Sequence, residues 1–112
     1  MSARSKARKR ALDALYASDV RGVEALELLK QTEIEVEDRQ NQQPIFDYAE
    51  MLVTGYFENA YQIDSEIQML ADNWSLERMP AVDRAILRMA AWEILHNSEV
   101  PNEVAISEAV SL

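Results

Sequence analysis

Apolar residues recur along this chain at the three- and four-residue spacing of a helical face, and six stretches of that pattern follow one another. In the first, Ala11, Leu12, Leu15 and Tyr16 share a face, and Arg21-Gly22 ends it. Val23, Ala25, Leu26 and Leu29 predict a second helix of about three turns ending near Thr32. Residues 33–43, EIEVEDRQNQQ, carry only two isolated aliphatics and read as a linker, with Glu33, Glu35, Glu37 and Asp38 as solvated loop acids. Pro44 suits the N-terminus of a long third helix through Ile45, Ala49, Leu52, Val53, Tyr56 and Ala60. Gly55 interrupts that helix and predicts the close approach of a neighbouring backbone.

Ser65-Glu66-Ile67-Gln68 has capping-box spacing and predicts a fresh start at Asp64-Ser65, with a fourth helix running to Trp74. Pro80 at a first helical position and Asp83 in the first turn open the most apolar stretch of the chain, Val82 to Leu95. Its apolar residues cover more than half the circumference, which predicts the central helix of a bundle. Pro101 opens a last pattern in Val104, Ala105, Ala109, Val110 and Leu112 that stops without a Gly, Asn or basic cap. The architecture these patterns predict is all-α, with about six helices in a single domain over residues 1–112.

Composition supports this prediction. The chain has 112 residues, 48% of them apolar, with two Gly, three Pro and no Cys. The absence of Cys excludes disulfides and thiolate chemistry and fits a reducing, cytoplasmic setting. No apolar run approaches membrane-spanning length, and Asp13 interrupts what would have to be the core of a signal peptide.

Charge changes the picture more. The formal net charge is −9, yet Arg4, Lys6, Arg8, Lys9 and Arg10 fall within the first ten positions, and residues 1–12 hold no carboxylate. An acidic body repels nucleic acid while a compact cation cluster attracts a phosphate backbone locally. At 100° per residue these five charges spread around the axis, with Arg8 inside the apolar sector. The first ten residues are therefore expected to overhang the core as a frayed or disordered arm, the helix becoming firm near Ala11. Two uses of the arm compete: contact with RNA or DNA, or plain solubility of a terminus. Tyr16, further along, either stacks on a base or half-buries as a core aromatic.

Nothing in the chain points to catalysis, a metal or a cofactor. His96 is the sole histidine and reads as a favourable C-terminal helix residue; Gly-rich phosphate loops, paired metal-binding histidines and Ser-centred elbows are absent. Arg84, Arg88, Trp92 and His96 form a stripe on one slowly turning side of the central helix. The stripe either grips a partner or nucleic acid, or pairs its guanidiniums with carboxylates such as Glu77 or Glu50 while Trp92 finishes the core. Trp74, Tyr48, Tyr56, Phe57 and Tyr61 read as core or core-rim residues.

Three segments in order, RSKARKRALDALYASD, NWSLERMPAVDRAILRMAAWEIL and VPNEVAISEAV, resemble the NusB family of bacterial transcription antitermination factors. The likeness covers nearly the whole chain, with residues 33–43 in the variable linker. It implies a NusB-like helical bundle without catalytic activity. It also implies binding to the boxA element of ribosomal RNA leaders together with ribosomal protein NusE, in an RNA polymerase antitermination complex. On the resemblance, Arg4, Lys6, Arg8, Lys9 and Arg10 would meet RNA with Tyr16 nearby, and Glu77, Asp83 and Arg84 would lie toward NusE.

The family pattern continues past the segment like VAISEAVSL with a Lys-rich helix end and a final helix, and the sequence stops at Leu112. The last helix or helices are thus expected to be missing, leaving apolar surface uncovered and favouring a homodimer or an unstable monomer. Members of the family include both monomers and homodimers. Two other readings stay open: a NusB-like module of an RNA cytosine methyltransferase, and a helical adaptor without RNA contact.

Overall fold

The computed structural model describes residues 2–36, 39–71 and 74–112, and among them forms six α-helices and no strand. They are α1 (Ala3–Arg21), α2 (Ala25–Glu35), α3 (Arg39–Glu58), α4 (Ala60–Leu70), α5 (Ala81–His96) and α6 (Asn102–Val110). A single 3-10 turn, Leu76–Arg78, precedes α5. The chain divides into two compact units, Met1–Thr54 and Gly55–Leu112, and the division falls inside α3.

In the first unit α1 packs on α2. Its buried face is built from small residues, Ala7, Ala11 and Ala14, followed by Leu15; α2 adds Ala25 and Leu29, and α3 adds Ile45, Phe46, Ala49, Leu52 and Val53. Alanines at helical spacing let neighbouring helices close in without voids. Contrary to the expected overhang, α1 is helical from Ala3. The Ser2 hydroxyl caps its start by accepting from the Ser5 N–H at 3.1 Å. Gly22, at φ 70°, closes its end by donating to the Ser18 carbonyl at 2.9 Å.

The linker is shorter than its polarity suggests. Residues 33–35 belong to α2 and 39–43 to α3, while Glu37 and Asp38 lie outside the described residues. Pro44 sits inside α3 and not at its start. It is exposed, so the one hydrogen bond it removes leaves a carbonyl on a solvated face.

In the second unit α4 packs on α5, and α5 on α6. Ile63, Ile67, Ala85, Met89, Trp92, Val100 and Ala105 form the core. The break after α3 comes at Asn59, earlier than the capping-box spacing predicts. The Asn59 side chain donates to the Gly55 carbonyl at 2.8 Å, and its own carbonyl accepts from Ile63 to start α4. α4 ends at Leu70, before Trp74; Asp72 and Asn73 lie outside the described residues.

Gly55 is explained by a side chain and not by a backbone: a Cβ there would sit 2.2 Å from two atoms of the Trp92 indole. Pro80 occupies the N-cap position of α5, one residue before the helix. That helix is less enclosed than its apolar content predicts, since Val82, Leu87, Ile94 and Leu95 are exposed, as are Val104, Ile106 and Val110 near or on α6.

Candidate nucleic-acid interface

The cations at the start of α1 are sorted by the helix. Ala7, Ala11 and Leu15 point to the core, and the opposite, solvent-facing side carries Lys6, Lys9, Asp13 and Tyr16 at three- and four-residue steps. Tyr16 is 43% exposed, so its ring lies at the surface, about two turns beyond Lys9. Arg4 and Arg8 lie toward the core side instead. Their guanidinium carbons approach the ring of Tyr48 on α3, at 4.9 and 5.8 Å from its centroid. Arg10 flanks the two sets and lies 5.4 Å from the ring centroid of Phe46.

Arg8 is 2% exposed. A planar, weakly hydrated guanidinium on an apolar stem can occupy such a position where an aromatic face receives it. Overhang fails as an expectation for this reason: the charge that seemed to forbid packing is packed, on a ring forty positions away in the sequence. Arg4, Lys6 and Lys9 remain exposed.

No acid occupies the first turn of α1. The positive dipole end of the helix therefore adds to the field of the basic side chains. Lys6, Lys9 and Arg10 also line a cleft of about 250 Å³ with Asp13, Gln42 and Ile45. Three cations around one concavity suit an anionic, phosphate-bearing ligand.

The residues expected to face a protein partner are in the second unit. Glu77 is exposed on the 3-10 turn, and Asp83 is half-buried in the first turn of α5. Arg84 is engaged within the chain: its Nη1 donates to the Leu76 carbonyl at 2.8 Å and the Met79 carbonyl at 3.3 Å, fixing the connector before α5.

Further along α5 the stripe is likewise engaged. Arg88 forms a bidentate pair with a carboxylate, that of Asp64, Nε to Oδ1 at 3.0 Å and Nη2 to Oδ2 at 3.2 Å. The Tyr56 hydroxyl donates to the same carboxylate at 3.0 Å, and Arg88 also stands 5.1 Å from the Tyr56 ring centroid. Trp92 is buried against Gly55, and His96 hydrogen-bonds Gln62 at 2.9 Å. Tyr48 and Tyr56 are core residues as read; Tyr61, 89% exposed, is not.

Phe46 and Tyr48 as guanidinium platforms, and Asp64 as the hub of a polar cluster, were not found from sequence. Each depends on a partner from a separate helix, and no local signal carries that. Among the described residues no group of three or more His, Asp or Glu is placed to hold a metal ion, and no helix is long and apolar enough to cross a membrane.

Comparison with known proteins bears on the family and the fold. The model of the NusB family matches residues 5–112. A transcription antitermination protein NusB from Nocardioides sp. is 49% identical over the whole of this chain and 79% of its own length. Its counterpart from Clavibacter sepedonicus is 48% identical over the whole of this chain and 82% of its own. Among solved structures, NusB of T. maritima superposes with a TM-score of 0.83 at 30% identity, covering 96% of this chain and 74% of that one. A chain in a structure described as a plectonemic RNA supercoil superposes with a TM-score of 0.84 at 27% identity, covering 99% of this chain and 79% of that one.

Proposed function

The chain belongs to the NusB family of transcription antitermination proteins, and from that premise we propose that it binds the boxA element of ribosomal RNA leaders jointly with ribosomal protein NusE. It would act in the cytoplasm as part of an RNA polymerase antitermination complex. The observation that carries this reading is the solvent-facing stripe of α1, where Lys6 and Lys9 lie in the first two turns of a helix free of acids in its first turn and Tyr16 follows further along the same side.

Lys6, Lys9, Arg10 and Arg4 take phosphates, and Tyr16 offers a ring for a base. Arg8 supports them from beneath by holding α1 on Tyr48. Glu77 and Asp83 face the protein partner, with Arg84 holding the connector that presents them.

The test is binding of a boxA RNA, with and without NusE, across a salt series. Replacing Lys6, Lys9 and Arg10 with Ala weakens binding and flattens the slope of log affinity against log salt by about two, at roughly 0.7 per lost single-strand phosphate contact. The helical circular dichroism stays unchanged. Asp83→Lys removes the gain from NusE while leaving RNA binding alone intact. A salt-insensitive or absent RNA interaction refutes the proposal.

A further inference from the structure

A second concavity lies on the other side of Arg10 and Asp13. It measures about 280 Å³ and runs between α1 and α2. This is just below the ~300–1,000 Å³ range of drug-sized ligand sites, and it suits a smaller, planar occupant. Its construction follows from helix periodicity: Arg10, Asp13, Ala14 and Ala17 recur at one face of α1, and Leu28, Thr32 and Glu35 at the facing side of α2. Alanines on α1 give it depth. Leu28 and Leu29 supply an apolar wall for the face of a ring, while Asp13, Gln31 and Glu35 put acceptor oxygens at the rim. The Thr32 hydroxyl donates its proton to the Leu28 carbonyl at 3.0 Å, which leaves the oxygen to act only as an acceptor.

The two concavities differ in charge and share two residues. The one between α1 and α3 gathers Lys6, Lys9 and Arg10, while the one between α1 and α2 is rimmed by carboxylates that repel phosphate; Arg10 and Asp13 line both. A ligand with an anionic group and a planar, amino-bearing ring, joined by a short link, matches the pair. A nucleotide of a single strand has that form, with its base free to be splayed out and read along its edge.

We propose that the α1/α2 cleft is a base-reading subsite, taking one extruded base of the bound RNA whose phosphate rests on Lys6, Lys9 and Arg10. The subsite selects bases that present an exocyclic amine, because Asp13 and Glu35 accept from the N4 amine of cytosine and find only a carbonyl oxygen at that position in uracil. This rests on the RNA-binding reading above and adds to it a preference that phosphate contacts cannot supply.

The experiment compares labelled oligocytidylate and oligouridylate of equal length by fluorescence anisotropy on the full chain, for the parent and two variants. The parent binds the cytidine oligomer about tenfold more tightly, the range a good base-edge contact provides. Asp13→Ala combined with Glu35→Ala abolishes that preference without weakening uridine binding, since removing two acids from a phosphate-binding surface lowers repulsion. Ala17→Leu narrows the cleft without changing charge and also erases the preference. Equal binding of the two oligomers by the parent, or a preference that survives both variants, overturns the subsite while leaving RNA binding in place. Failure of both oligomers to bind at any salt overturns the subsite, and the boxA titration with and without NusE then decides the RNA reading separately.

Discussion

Gly55→Ala tests the packing of the second unit most directly, because two opposing effects have different sizes. Glycine in a helix interior is worth about 1 kcal/mol less than alanine, so on propensity alone the change stabilises the protein. Here the new Cβ would meet Trp92 Cε2 and Nε1 at 2.2 Å and Cδ1 at 2.8 Å. The indole would have to retreat by about 0.8 Å merely to bring the nearest contacts to 3.0 Å, and Trp92, 8% exposed, is enclosed by the core. Overpacking of this kind costs about 1–3 kcal/mol and at times more. With a rigid ring as the obstacle the upper figure applies, leaving a net loss of about 2 kcal/mol after the propensity gain. For a chain of this size that lowers Tm by roughly 8 °C.

Urea unfolding followed by circular dichroism measures the loss, and the background Trp92→Leu identifies its cause. In that background the indole is gone and Gly55→Ala becomes neutral or stabilising by up to about 1 kcal/mol, giving a coupling of about 2–3 kcal/mol between the two sites. A Gly55→Ala protein as stable as its parent, or one penalised equally in both backgrounds, refutes the argument.

The remaining predictions concern the same unit. Asp64→Ala leaves the Tyr56 hydroxyl and the Arg88 guanidinium without their shared acceptor and lowers stability by about 1–2 kcal/mol, read as a fall in the urea midpoint at constant slope. High salt recovers little of this loss, because the Tyr56 hydrogen bond is not screened as an exposed ion pair would be. The exposed apolar residues of α5 and α6, Leu87, Ile94, Leu95, Ile106 and Val110, predict concentration-dependent self-association. Sedimentation velocity checks it, with Ile106→Lys and Val110→Lys shifting the population to monomer.

The all-helical class and most helix cores could be read from the sequence because they rest on local spacing. Arg21-Gly22 ends α1 where glycine can take a positive φ, and Asp83 lies in the first turn of α5, as the residues suggest. The departures have separate physical origins. A polar composition from 33 to 43 does not forbid helix, since Glu, Gln and Arg are good helix formers whose charges can face water. The capping box at Ser65 loses to a chain break at Asn59, whose side chain bonds the Gly55 carbonyl and fixes the turn locally. Gly55 was legible as a point of close approach but not as a socket for Trp92, since nothing near residue 55 reports a side chain 37 positions later.

The basic arm is the clearest case of partial legibility. Its charge and position were legible and are what the proposed RNA contact rests on, while the arrangement of its cations depends on Tyr48 and Phe46, which only the fold brings near. Cations in the first turns of a helix oppose the dipole and cost about 0.3–1 kcal/mol each. The alanine face of α1 and the aromatic platforms on α3 offset that cost, so the arm need not fray. A helix held in this way keeps Lys6 and Lys9 at fixed spacing, so the proposed binding of RNA costs less conformational entropy than it would for a disordered arm. Packing Arg8 against Tyr48 thus serves the exposed lysines: the buried charge holds the helix whose outer face carries the proposed RNA contacts.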